Sequence, residues 1–360
     1  MGKDSLQELM DQASEVGLNP VPFRVKELSD QELITIQARG YEAKWIPATS
    51  KTPSSDIVME LFEPRPYPIA YLRKNLRKEQ KKWILAHVIG HADFLRHHEL
   101  LQQTTKAFFT IRKKADHQFF NIHQYIPFRE IRDFLLHIRA IISFSHVNSE
   151  MEIENEVLSF LMKEGFINEA WKREIILYCM EEAGFFAKIH CTSLLNEGYA
   201  TIIQKKLLEL VGRRDAYLYI KEDIKLHEQK KQGINIYRLG SKLWEQVPKS
   251  KFTTVLSKYD NDLFLKTYYT SSLHLKESIS FFQEGPGVNS KYEDVKKLLR
   301  SHFSVIKKPV ILVDHALTKQ SGYLTLRTSI PLQSTKILKF KSHLEKILAQ
   351  KVYMKSIYWD

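Results

Sequence analysis

Two histidines stand four residues apart in the stretch "HVIGHADF", at His87 and His91. Four residues is about one helical turn, so a helix would send both imidazoles out of the same face. Helices offer two nitrogen ligands to one zinc ion at this spacing. In the peptidase pattern H-E-x-x-H the residue after the first histidine is the glutamate that activates water; here it is Val88. Three readings stay open: a metal site that has lost its base, a metal site whose base comes from elsewhere, or two hydrogen-bonded core histidines. With 14 histidines in the chain, some pairs arise by accident.

Two carboxylates sit on apolar stripes of other helical stretches. In "LLNEGYA", Glu197 shares a stripe with Ala200, Ile203 and Leu207. In "CMEEAGFF", Glu182 lines up with Trp171, Ile175, Cys179 and Phe186, while Glu181 points about a quarter-turn away. Burying a carboxylate is costly unless it is paired, protonated or bound to a cation. Each is therefore either a structural ion pair or part of a site. Two histidines and a glutamate commonly hold zinc where water is activated, which makes Glu197 the candidate third ligand. Glu182 is the candidate general base, a further ligand, or a group that orients one. His227, at helical steps from Ile220 and Ile224, is a candidate for a further ligand or supporting group, as are Asp93, Glu181 and His117. His97 and His98 in "LRHHEL" read as a solvated helix end.

The elements that must position these groups are mostly helical. From Ile69 to about His98, Leu72, Leu76, Trp83, His87, His91 and Leu95 recur at steps of three or four, opposite the basic stripes of "RKNLRKEQKKW". Both histidines thus face inward. Helical patterns follow over 100–143, 153–164, 169–190, 192–212 and 215–230, with a short one at "SKLWEQV" and more over 260–283. "QEGPGVNSK" reads as a linker. Beyond it come a short helix near 291–302, the strand-like "PVILVD", the alternating "GYLTLRTSI", a helix over 333–349 and a closing strand, "VYMKSIY". The expectation is an α+β fold, mainly α: a mixed N-terminal segment (1–68), a large helical body carrying the site (69–285), and a small C-terminal α/β domain (288–360).

Composition narrows the function classes. With 43% apolar and 27% charged residues the chain reads as an ordinary globular protein. Cys179 and Cys191 are too few for a disulfide framework, which points to a reducing, cytoplasmic setting. No run suits a membrane span or a signal peptide. The net charge of +12 is spread along the chain without the aromatic interleaving of a single-strand binder, which argues against a dedicated nucleic-acid protein. Elbow-serine, Walker and dinucleotide patterns are absent.

Several of these stretches resemble, in order, the stage V sporulation protein R (SpoVR-like) family. "AYLRKNLRKEQKKWILAHVIGHADF" resembles its A-Y-L…Q-K…A-H-V-x-G-H-x-D-F. "WKREIILYCMEEAGFF" resembles W-x-R-x-I…R-E-E-A-Y-Y-F, and "NEGYA" resembles N-E-G-W-A. The likeness continues through "LHEQ", "GINIYRLGSKLWEQV" and "DLFLKTYYTSSLHLKES" into the tail, over about 65–360. The family's Y-P-H-W-R-like segment survives only as a trace in "ARGYEAKWIPATSKTP", without its histidine and arginine. The resemblance implies a cytoplasmic protein associated with sporulation, in spore cortex formation, or with a stress response. It also implies a serine protein kinase and a von Willebrand-like protein as partners encoded nearby, but no reaction. A-H-V-x-G-H and N-E-G-W-A together resemble the two halves of a gluzincin peptidase, which implies zinc or another divalent transition metal on His87, His91 and Glu197.

Overall fold

The computed structural model describes residues 2–39, 45–46, 60–63, 67–147, 153–210, 234–277, 281–282, 288–289, 291–304 and 311–357. Helices dominate these residues and the strands make only small sheets, which is the mainly α, α+β architecture expected. Among them no helix is long and apolar enough to cross a membrane. The apolar side chains gather into two cores. One belongs to a unit of 1–34, 54–107 and 188–304, the other to a unit of 35–53, 108–187 and 305–360. The segments expected from the sequence (1–68, 69–285 and 288–360) follow composition along the chain. The cores instead divide it inside the helices Asp30–Arg39, Glu99–His123 and Ala170–His190. A boundary within a continuous helix leaves no glycine or proline punctuation to read.

In the first unit, β1 (Arg24–Leu28), β2 (Glu60–Glu63) and β3 (Ile69–Arg73) form a sheet with β3 in the middle, parallel to β1 and antiparallel to β2. Arg24 pairs with Ile69 on one side, and Glu63 pairs with Ile69 on the other. This corrects the expectation of a helix from Ile69. Residues Ile69 to Leu72 are buried without alternation, as befits a central strand covered on both faces. Periodicity alone does not separate such a run from a buried helix. Asn75, at φ 63°, turns the chain in the left-handed region that asparagine tolerates. The helix carrying both histidines then runs over Lys78–His97. From Ile84 to Leu95 every one of its residues is buried, so the helix is enclosed all round rather than on one stripe. The basic stripes expected to face solvent are largely paired with nearby acids: Lys82 with Glu8 (2.9 Å), Lys81 with Glu27 (2.8 Å) and Arg73 with Asp30 (2.7 Å).

The helix Ser193–Leu210 buries Leu194, Leu195, Tyr199, Ile203 and Leu207 in the same core, which also takes in Leu239, Leu243 and Trp244 of the helix Ile236–Trp244. Asn261, fully buried, accepts from the Leu195 amide (3.2 Å) and donates to the His190 carbonyl (2.8 Å), tying down the start of the Ser193–Leu210 helix. The helix expected over 215–230 lies outside the described residues.

The second unit packs its core on the helix Phe128–Ile142, where Ile131, Phe134, Leu135, Ile138, Ile141 and Ile142 recur at helical steps. The tail supplies strands at Ile311–Val313, Thr325–Thr328 and Tyr353–Ser356, with the middle one central, and the helix Thr335–Leu348. The second and third strands are parallel, so they need a crossover, and the helix between them provides it. This small α/β layer shares its core with residues of 108–187.

Candidate metal centre

The helix Lys78–His97 presents His87 and His91 on successive turns, and the helix Ser193–Leu210 presents Glu197. They meet because the helices touch backbone to backbone. A Cβ at Gly90 would lie 2.5 Å from the Ala200 Cα, and one at Gly198 would lie 2.3 Å from the Gly240 carbonyl carbon. No side chain fits at either crossing. Gly90 immediately precedes His91, and Gly198 immediately follows Glu197. Gly90 thus sets the spacing of the two ligand helices, Gly198 seats the Ser193–Leu210 helix against Gly240 of the helix Ile236–Trp244, and the three polar groups lie beside these glycines.

Their donor atoms converge. The Nε2 atoms of His87 and His91 lie 3.2 and 3.7 Å from one oxygen, Oε2 of Glu197. One donor atom from each of the three residues lies within 4.8 Å of the others. Zinc bonds of about 2.0–2.2 Å at tetrahedral angles separate ligand atoms by about 3.4 Å, between the two measured distances. The imidazole rings are perpendicular, with centroids 4.6 Å apart. Phe62 of β2 stacks on His91 at 6.1 Å, and Tyr237 stands 5.8 Å from His87. His87 and His91 are 6% and 7% exposed, whereas the Glu197 side chain keeps 26% of its surface. Glu197 is therefore the side chain of the three with the most exposed surface.

Burial is the largest influence on His91 and pushes its pKa down; the charge of Glu197 opposes this, His87 adds to it, and the net shift is downward. For Glu197, burial pushes up, but attraction to His91 and the hydrogen bond and charge of His87 outweigh it, so its pKa is lowered. A neutral imidazole beside an ionised carboxylate is the protonation state a metal requires of its ligands.

The other sequence candidates go elsewhere. Asp93 is almost fully buried, but its oxygens accept from the Tyr199 hydroxyl and from the Asn19 amide (2.7 Å). It braces the helix beside the cluster. Glu182 belongs to the second unit, where Oε1 accepts from Arg112 Nη2 (2.9 Å) and the Tyr178 hydroxyl (2.7 Å), and Oε2 accepts from Arg139 Nη2 (2.9 Å). Of the two roles open to it, the structure displays the ion pair. Glu181 is exposed in that unit, as is His117, which sits beside Asn121 (3.3 Å). His227 lies outside the described residues. His98 corrects another expectation: it is 2% exposed rather than solvated, and Nε2 bonds to the Tyr259 carbonyl at 3.0 Å.

Sequence reasoning missed Asn196, whose Oδ1 lies 3.0 Å from His91 Nδ1. Its signal was adjacency, since it precedes Glu197 in the quoted motif. Phe62, Tyr237 and the two arginines on Glu182 carried no local signal.

Residues 143–263 match the family model described as SpoVR like protein. The resemblance drawn from "WKREIILYCMEEAGFF", "NEGYA" and "GINIYRLGSKLWEQV" is thereby shown, over a span that contains both Glu182 and Glu197. No curated protein and no solved structure matches the chain.

Proposed function

We propose that this SpoVR-like chain is a sporulation-associated protein that holds a divalent transition-metal ion on His87, His91 and Glu197 and hydrolyses an amide or peptide bond there. The observation that carries the reading is the convergence of two imidazole nitrogens and a carboxylate oxygen from two helices that meet backbone to backbone at Gly90. The donors suit zinc, and manganese or iron would also accept histidine and carboxylate. A metal in such a site supplies a water of lowered pKa and polarises a carbonyl.

The chain's own contribution is the holding and the approach. Gly90 and Gly198 fix the ligand helices, and Phe62 and Tyr237 wall the imidazoles. Among the described residues β2 is an edge of its sheet, and its Phe62 lies on His91. A strand edge recognises an extended peptide through backbone hydrogen bonds, which favours a peptide over other amides. Glu182, held by two arginines, is not retained as the base.

One observation favours a second reading. Val88 stands where the peptidase glutamate would be. In this reading the metal is structural, and the protein is a cytoplasmic regulatory or scaffold component that binds a serine protein kinase, a von Willebrand-like protein or an envelope-assembly partner. The two separate in one experiment: zinc-loaded protein incubated with unstructured peptides and followed by mass spectrometry. Hydrolysis expects cleavage by the wild type and its loss in Glu197→Gln, which lacks the carboxylate that would hold the metal. Full zinc occupancy without cleavage would leave the scaffold.

A further inference from the structure

We infer that Asn196 is a positioning residue of the metal centre and fixes which nitrogen of His91 faces the cation. The inference rests on the metal reading above and concerns the choice between two tautomers. His91 Nδ1 lies 3.0 Å from the side-chain oxygen of Asn196. With the amide oxygen on the His91 side, Asn196 accepts, and the bond then requires Nδ1 to carry the proton. A neutral imidazole has one N–H, and Nε2 therefore presents a lone pair. Nε2 points at Glu197 Oε2, 3.7 Å away, which is also an acceptor. In this tautomer Nε2 and Oε2 both present lone pairs, the arrangement that a cation between them would satisfy. In the other tautomer, Nε2–H would donate to Glu197 and close the site upon itself. Asn196 selects against that closed form. Ligating histidines are commonly held in this way, the second N–H given to a carbonyl or carboxylate that fixes the ring and raises its basicity. Because Asn196 and Glu197 are consecutive on one helix, a single helical step brings both a ligand and the group that orients its neighbour.

The test uses the full chain and three proteins: wild type, Asn196→Ala and Asn196→Asp. Nitrogen-15 NMR of the imidazoles in metal-free protein, with His91→Gln to assign the signal, reads the tautomer directly. Zinc affinity is measured by chelator competition, with circular dichroism and the thermal midpoint as checks on folding. We expect the Nδ1–H form of His91 in the wild type and a shift towards the Nε2–H form in Asn196→Ala. Zinc affinity should fall by about 10- to 100-fold in Asn196→Ala, and Asn196→Asp, whose carboxylate still accepts, should recover most of that loss. A wild-type His91 in the Nε2–H form would overturn the inference, as would an Asn196→Ala protein that is folded and binds zinc as tightly as wild type. Failure of wild type to bind zinc would remove the metal reading instead, and the tautomer measurement would still decide whether Asn196 locks His91.

Discussion

Glu182 and Glu197 are equivalent as sequence features: each is a carboxylate on an apolar helical stripe. Their surroundings make them opposites. Glu197 faces two imidazoles, of which burial keeps His91 on the neutral side, whereas Glu182 faces two guanidinium groups. The distinction is tertiary. Arg112 and Arg139 lie 70 and 43 residues from Glu182, and nothing in the local pattern announces either. The pair His87 and His91 was legible because a helix fixes its own spacing, and Glu197 because a charge on an apolar stripe demands a partner. Two outcomes follow at this scale. Glu182→Ala removes an anion that pairs with the buried Arg112 and the half-buried Arg139, and should cost about 3–5 kcal/mol in urea unfolding, the range for breaking a buried pair. Its folded fraction should take up zinc like wild type, and loss of zinc from folded Glu182→Ala would return Glu182 to the site. Glu197→Gln keeps the shape, removes the charge, and should abolish stoichiometric zinc binding without a comparable loss of stability.

The elements explain why the motifs contain glycine. Gly90 and Gly198 occupy crossings where a methyl group would meet main chain at 2.5 and 2.3 Å, and main chain cannot swing aside as a side chain does. Overpacking a close contact costs about 1–3 kcal/mol, so Gly90→Ala and Gly198→Ala should each destabilise by at least that much. Gly90 spaces the two ligand helices and Gly198 seats the glutamate helix against the helix Ile236–Trp244, so both variants should also bind zinc more weakly, measured by chelator competition on folded protein. Wild-type stability and affinity in both would refute the spacing role. Helix existence was largely legible from period, as at Ala170–His190 and Ser193–Leu210. Ile69–Arg73 was not, because a strand buried on both faces erases the alternation that identifies strands. Helical spacing downstream then absorbed it.

Across the whole molecule, two cores divide a chain whose composition suggests a different partition. The ligand cluster lies entirely in the first unit, so zinc should raise hydrogen-exchange protection in 78–97 and 193–210, while direct stabilisation of 311–357 would contradict the assignment. Acid should weaken both units. Burial lowers the pKa of His91 and His98 in the first, and of His137 and His343, whose Nδ1 atoms are 2.8 Å apart, in the second. An imidazole with a lowered folded pKa binds fewer protons folded than unfolded, so its stability contribution is full above the ordinary value of 6.5 and is lost as pH falls through the folded pKa. Glu197, also lowered, adds a loss of the same sign below its ordinary 4.5. Thermal midpoints should therefore hold steady just above neutrality and decline below about pH 6.5, and a midpoint that rises on acidification would contradict the burial of these groups. The central claim is that His87, His91 and Glu197 form one metal site, and its most direct test is zinc stoichiometry by elemental analysis of untagged, chelator-treated and zinc-reconstituted protein. The account expects about one equivalent in wild type and near none in His87→Ala, His91→Ala or Glu197→Gln. Zinc-free wild type, or full occupancy in all three variants, would contradict it.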